Sequence, residues 1–94
     1  MDRQEFKSLV NKYLLASDFI KKGRYYYRES SEIICVLGLQ KSSYSNCYYI
    51  NAGIVIKDIN PDLSLPRDID GDIRTRCYFK INSEEVDCVN IDEI

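Results

Sequence analysis

A chain of 94 residues with a 45% apolar fraction is long enough to bury one core and too short for two, and its composition excludes a disordered or fibrous class. Its 13 basic and 15 acidic side chains include no histidine, so the common proton shuttle at neutral pH and the usual partner of a cysteine nucleophile are both missing. No apolar run reaches the length of a membrane span or a signal h-region, which predicts a single cytoplasmic domain over residues 1–94 with no membrane contact.

The net charge of −2 divides unevenly. Residues 82–94 hold Glu84, Glu85, Asp87, Asp92 and Glu93 without one basic side chain, leaving an excess of +3 on residues 1–81. That acidic C-terminal segment reads as a solvated tail or helix start, or as a shield for something basic. Cys35, Cys47, Cys77 and Cys88 are widely spaced with no C-x-x-C, the pattern of reduced, mostly buried thiols.

In chain order, Asp2 with Glu5 three residues later forms a capping-box signature. Phe6, Leu9, Val10, Tyr13 and Leu14 follow as one apolar helical stripe, and the helix should fray near Ser17-Asp18. After Gly23, Arg24-Tyr25-Tyr26-Tyr27-Arg28 is rich in β-formers. Glu29-Ser30-Ser31 makes a tight connection to the mostly apolar run from Ile33 to Gln40, a central strand. Beyond a polar loop at 41–46, Tyr48, Ile50, Ala52, Ile54 and Ile56 alternate with other residues as a third strand. Residues 58–72 contain Pro61, Pro66 and Asp70-Gly71, so a long and mobile connection is expected. The last strand sets Ile73, Thr75, Cys77, Phe79 and Ile81 on a core face and Arg74, Arg76, Tyr78 and Lys80 on a basic one. The predicted fold class is α+β: an N-terminal helix packed on a four-stranded, mainly antiparallel sheet, in two layers.

Phe6, Asp18-Phe19 in place of a Gly-Phe-like turn, Lys21-Lys22-Gly23, the Tyr-Tyr-Tyr-Arg run ending at Arg28, Leu39-Gln40-Lys41-Ser42, Tyr48-Tyr49-Ile50-Asn51 with Gly53, and Ile73-Arg74-Thr75-Arg76 together resemble the domain of unknown function 4304 family, a bacterial one, over roughly residues 5–80. The resemblance implies a helix with an antiparallel sheet and no established activity, and it leans toward toxin and immunity or related conflict systems.

If the strands pair as drawn, Arg28, Gln40, Tyr49, Asn51, Arg74 and Arg76 meet on the polar sheet face. Arginine forks bind carboxylate or phosphate bidentately and tyrosines give rigid contact area, so these six are the candidate partner-binding residues; the bland alternative is a solvated outer face. Asp68, Asp70 and Asp72 alternate in the long loop but lack a calcium loop's downstream glutamate. Lys21-Lys22-Gly23 lacks the glycine and hydroxyl residue of a phosphate loop. No metal, cofactor or catalytic set is therefore expected. The leading reading is a non-enzymatic module that docks a protein partner, as an inhibitor or immunity-type factor in a bacterial or phage conflict system. The second is a small nucleic-acid or nucleotide binder using the same Arg/Tyr face.

Overall fold

The N-terminal helix begins where its cap signal stands. In the computed structural model, which describes residues 1–93, Asp2 Oδ1 accepts the Glu5 backbone N–H at 2.8 Å and α1 runs Arg3–Ala16. Only Phe6 of the stripe is fully buried; Val10 and Leu14 are half-buried, whereas Leu9 and Tyr13 face solvent. The seam is therefore the i, i+4, i+8 row rather than the wider five-residue face. Asn11, next to that row, accepts the Tyr26 hydroxyl at 2.9 Å. The helix ends in a Schellman arrangement, with Phe19 N bonded to Leu14 O at 3.1 Å and Asp18 N to Leu15 O at 3.4 Å. Asp18 takes the left-handed position, at φ 69°, that glycine fills without strain.

Among the described residues eight strands follow: β1 Ile20–Lys22, β2 Tyr25–Glu29, β3 Ile33–Lys41, β4 Cys47–Ile56, β5 Ile73–Arg76, β6 Phe79–Ile81, β7 Glu84–Val86 and β8 Val89–Asn90. The first five form an antiparallel meander in chain order, β8 also pairs with β4, and β6 with β7 makes a separate hairpin. The helix-on-sheet α+β class holds, with more strands than the four expected. Strand β1 was hidden because three residues are too few to show an alternating pattern. Gly23, at φ 63°, opens the two-residue turn that pairs Lys22 with Tyr25, the glycine-first geometry of a tight hairpin.

The strand expected over 73–81 is broken after Arg76. β5 stays on β4, the chain leaves the sheet, and β6 folds back with β7 through Asn82 and Ser83, both at positive φ. β5 is exposed along its whole length, so its anticipated core face is not one. The helix does not reach that far across the sheet, and Ile73 remains 54% exposed.

Two cores sandwich the sheet. On the helix side Phe6, Tyr48, Val89 and Ile91 cluster, with Met1, Val10, Leu39, Phe79 and Ile81 against them; the Phe6 and Tyr48 rings lie 5.0 Å apart. The acidic end is thus not a solvated tail, and the helix-start reading holds only as the single 3-10 turn Ile91–Glu93, which includes Asp92 and Glu93. Its apolar residues close the core, Ile91 completely, while Glu84, Glu85, Asp92 and Glu93 stay exposed. On the other side Ile34, Val36 and Val55 are buried beneath the 57–72 segment, whose Pro66 is also buried and whose Asp68–Asp70 3-10 turn lies on β3 and β4. This approach requires Gly53, where a Cβ would stand 2.5 Å from the Asp68 carbonyl oxygen.

Candidate functional site

Register decides which polar residues meet. Gln40 pairs with Tyr49 across β3 and β4, and Asn51 pairs with Arg76 across β4 and β5. Paired residues of adjacent strands share a face, and so do residues two apart on one strand. Gln40, Tyr49, Asn51, Arg74 and Arg76 therefore all lie on the side of the sheet opposite the helix. Arg28 does not join them. It pairs with Cys35, whose odd position in β3 is on the helix side, so its place among the candidate site residues is corrected. The Ser30-Ser31-Glu32 turn, in which Ser30 Oγ accepts the N–H groups of Glu32 and Ile33, sets that register, and a slip of one residue would exchange the faces.

Four of the five, Gln40, Asn51, Arg76 and Tyr49, form a directed chain. Asn51 Nδ2 donates to Gln40 Oε1 at 2.8 Å, and Asn51 Oδ1 accepts Arg76 Nε at 3.3 Å. This orients the Asn51 amide and fixes the plane of the guanidinium. The guanidinium carbon sits 4.0 Å from the Tyr49 ring centroid, within the range of a cation–π contact. Nε is engaged by Asn51, and Asp87 Oδ2 is 3.8 Å from Nη1, an ion pair beyond hydrogen-bond length. Arg74 Nη1 reaches the Ile69 carbonyl at 3.4 Å. Between Arg74, Arg76, Asn51 and the Asp68-Ile69 turn lies a shallow concavity of about 400 Å³.

Asp87, Asp68 and Ile69 were not foreseen as neighbours, since each arrives through a long loop or turn whose path sequence spacing does not encode. The loop aspartates are dispersed instead of gathered. Asp70 bonds Arg67, which holds its carboxyl below the usual carboxylate range. Asp72 accepts from the Ile56 backbone and from Asn60. Among the described residues, no group of three or more acidic or cysteine side chains is placed to hold a metal ion.

All four cysteines are free and half-buried. Burial pushes the Cys35 and Cys77 thiols up, and burial together with the adjoining Cys47 thiol raises Cys88. Each shift disfavours the thiolate that a nucleophile would need. No helix among the described residues is long and apolar enough to cross a membrane.

Comparison with known proteins gives a family without a named activity. No curated protein and no solved structure matches the chain. The family match runs through the acidic segment, beyond the stretch over which the sequence resemblance was traced: with residues 10–94 matching its model, the chain belongs to the family described as a domain of unknown function, DUF4304.

Proposed function

We propose that this domain is a non-enzymatic docking module that seats a protein partner on the face formed by Arg76, Tyr49, Asn51, Gln40 and Arg74. The observation that carries this reading is the Arg76 guanidinium, 4.0 Å from the Tyr49 ring centroid and bonded through Nε to Asn51, on a side chain that stays 44% exposed. Arginine and tyrosine are the residue types that dominate interface energetics, and a side chain already held in place loses little entropy on binding. The same contact weighs against the nucleic-acid reading of this face, because Arg76 covers the Tyr49 ring surface on which a base would stack. An inhibitor or immunity-type role is the form favoured by Asp87, the acidic side chain that adjoins Arg76 on this face. A mixed-charge face of this kind complements a basic partner site.

The test is affinity capture with the tagged chain, before and after nuclease treatment, using wild type and Arg76→Ala. A stoichiometric protein retained after nuclease by wild type and lost by the variant supports docking through this face. Material that disappears with nuclease, and whose binding falls steeply with added salt, refutes it in favour of nucleic acid.

A further inference from the structure

The opposite side of the sheet carries a second feature, independent of the docking face. Where the first turns of α1 pass over β1, β2 and the end of β3, a cleft of about 550 Å³ opens. Five cationic side chains from separate parts of the chain line it: Arg3 and Lys7 from the helix, Lys21 from β1, Arg24 from the β1–β2 turn and Lys41 from β3. No acidic residue does. The placement follows from local geometry. Arg3 and Lys7, four apart, share one helix face. Lys21 pairs with Tyr26 and Lys41 with Tyr48, which puts both lysines on the helix side of the sheet. Leu39, Tyr26 and Tyr48 provide an apolar floor.

None of the ion pairs among the described residues involves these five; they join Lys57 to Glu29, Arg67 to Asp70 and Arg76 to Asp87. Lys41 Nζ is held at the rim by the carbonyls of Ser42 and Ser45, each at 3.2 Å, contacts that leave its charge uncompensated. The Arg24 guanidinium turns instead toward Tyr25, 5.2 Å from its ring centroid, a ring that the pairing of Tyr25 with Gly38 puts on the other side of the sheet, which leaves Arg3, Lys7, Lys21 and Lys41 as the cations of the cleft. A chain with net charge −2 has thus gathered four positive charges around one concavity and kept its carboxylates out of the lining. Such focusing raises the local concentration of anions, and the repulsion it creates is relieved when an anion enters.

We propose that this cleft binds a polyphosphate group, two or three linked phosphates, either free or as the tail of a nucleotide. A single carboxylate would neutralise one of the four charges, whereas a di- or triphosphate carries several within a few ångströms. The cleft volume is that of a small-ligand site. Both ligand sources share the phosphate chemistry, and the Leu39 floor is where a nucleoside would add apolar contact.

Calorimetric titration of the whole chain in low salt, with inorganic tripolyphosphate, ATP and adenosine as probes, tests the assignment. One equivalent of tripolyphosphate is expected to bind and adenosine not to. ATP tighter than tripolyphosphate identifies the nucleotide form, and equal affinity the free polyphosphate. Lys7→Gln and Lys21→Gln should each weaken binding about tenfold, the scale of a lost charge-assisted hydrogen bond, with circular dichroism unchanged. Arg74→Gln, on the other side of the sheet, should bind as wild type. The proposal is overturned by the absence of saturable heat with either phosphate probe, or by equal weakening in Arg74→Gln, which would mean diffuse surface charge. A ten-residue oligothymidylate that binds where tripolyphosphate does not would also overturn it and assign the cleft to nucleic acid.

Discussion

Gly53→Ala is the substitution in which fold and docking face are most tightly linked. An added Cβ would lie 2.5 Å from the Asp68 carbonyl oxygen and 3.2 Å from Val36 Cγ1. The first is backbone and the second belongs to a fully buried residue, so neither yields by rotating a flexible side chain. Relief needs the 57–72 segment to lift by about 0.5–1 Å, and overpacking of this kind costs about 1–3 kcal/mol. Alanine in a strand regains about 0.5–1 kcal/mol of backbone entropy relative to glycine, which leaves a net loss of about 1–2 kcal/mol. At about 4–8 °C per kcal/mol for a domain of this size, thermal unfolding followed by circular dichroism should show a Tm lower by roughly 5–15 °C. Limited proteolysis should speed up within 57–72. Gly23→Ala is the contrasting case: its Cβ meets nothing within 4 Å, but φ is 63°, so its cost of about 1–2 kcal/mol is purely conformational and the 57–72 segment should stay protected. Gly53→Ala with wild-type Tm and a wild-type cleavage pattern would refute the close approach of Asp68 to β4.

Asp18 and Ser83 occupy left-handed positions, so Asp18→Gly and Ser83→Gly should each raise stability by about 0.5–1 kcal/mol; a fall in chemical-denaturation midpoint for both would contradict the turn geometry. Ile91→Ala, at a fully buried site between Phe6, Tyr48 and Val89, should cost about 2–5 kcal/mol, and a loss below about 1 kcal/mol would mean that the C-terminal residues are not core. The carboxyls of Asp2 and Asp70 are held below the usual range, by the Glu5 backbone N–H and by Arg67 respectively. A depressed folded-state pKa gives stability that is complete above the unfolded value and is lost as pH falls through the folded one, so the loss belongs to the acid side of the ordinary carboxylate range. The Asp2→Asn, Asp70→Asn double variant, in which the amide introduced at the N-cap still caps α1, should show a flatter decline of Tm on acidification; an unchanged slope would refute the assignment.

The pattern of residues revealed the helix, its cap, the β2–β3 hairpin and the β4 alternation, because each is written in local periodicity. It also put Tyr49 with Asn51 and Arg74 with Arg76, since parity within a strand is a local property, and the polar side of each alternation matched these pairs and Gln40 to one face. Arg28 was misplaced because parity between strands depends on register, which the Ser30 turn sets. The acidic end hid its core role because Val89 and Ile91 are isolated between polar residues; their burial depends on β8 returning to β4. Similarly, 73–81 alternates without interruption in sequence, and only the positive-φ turn at Asn82-Ser83 and the packing of Phe79 and Ile81 against the helix-side core account for the break. The basic cleft is not written in local sequence for a related reason. Its cations lie 4, 14 and 20 residues apart along the chain, and chain folding alone brings them together.

The most direct test of the docking account is the affinity of the captured partner for wild type, Arg76→Ala and Arg76→Lys. Lysine keeps the charge but has neither the guanidinium over Tyr49 nor the Nε bond to Asn51. Arg76 is exposed and its contacts are weak, so neither variant should shift Tm by more than about 4 °C. The account predicts that both lose affinity by about 30-fold, the scale of an interface hot spot. Wild-type affinity in Arg76→Lys would contradict it, reducing the site to a patch of positive charge.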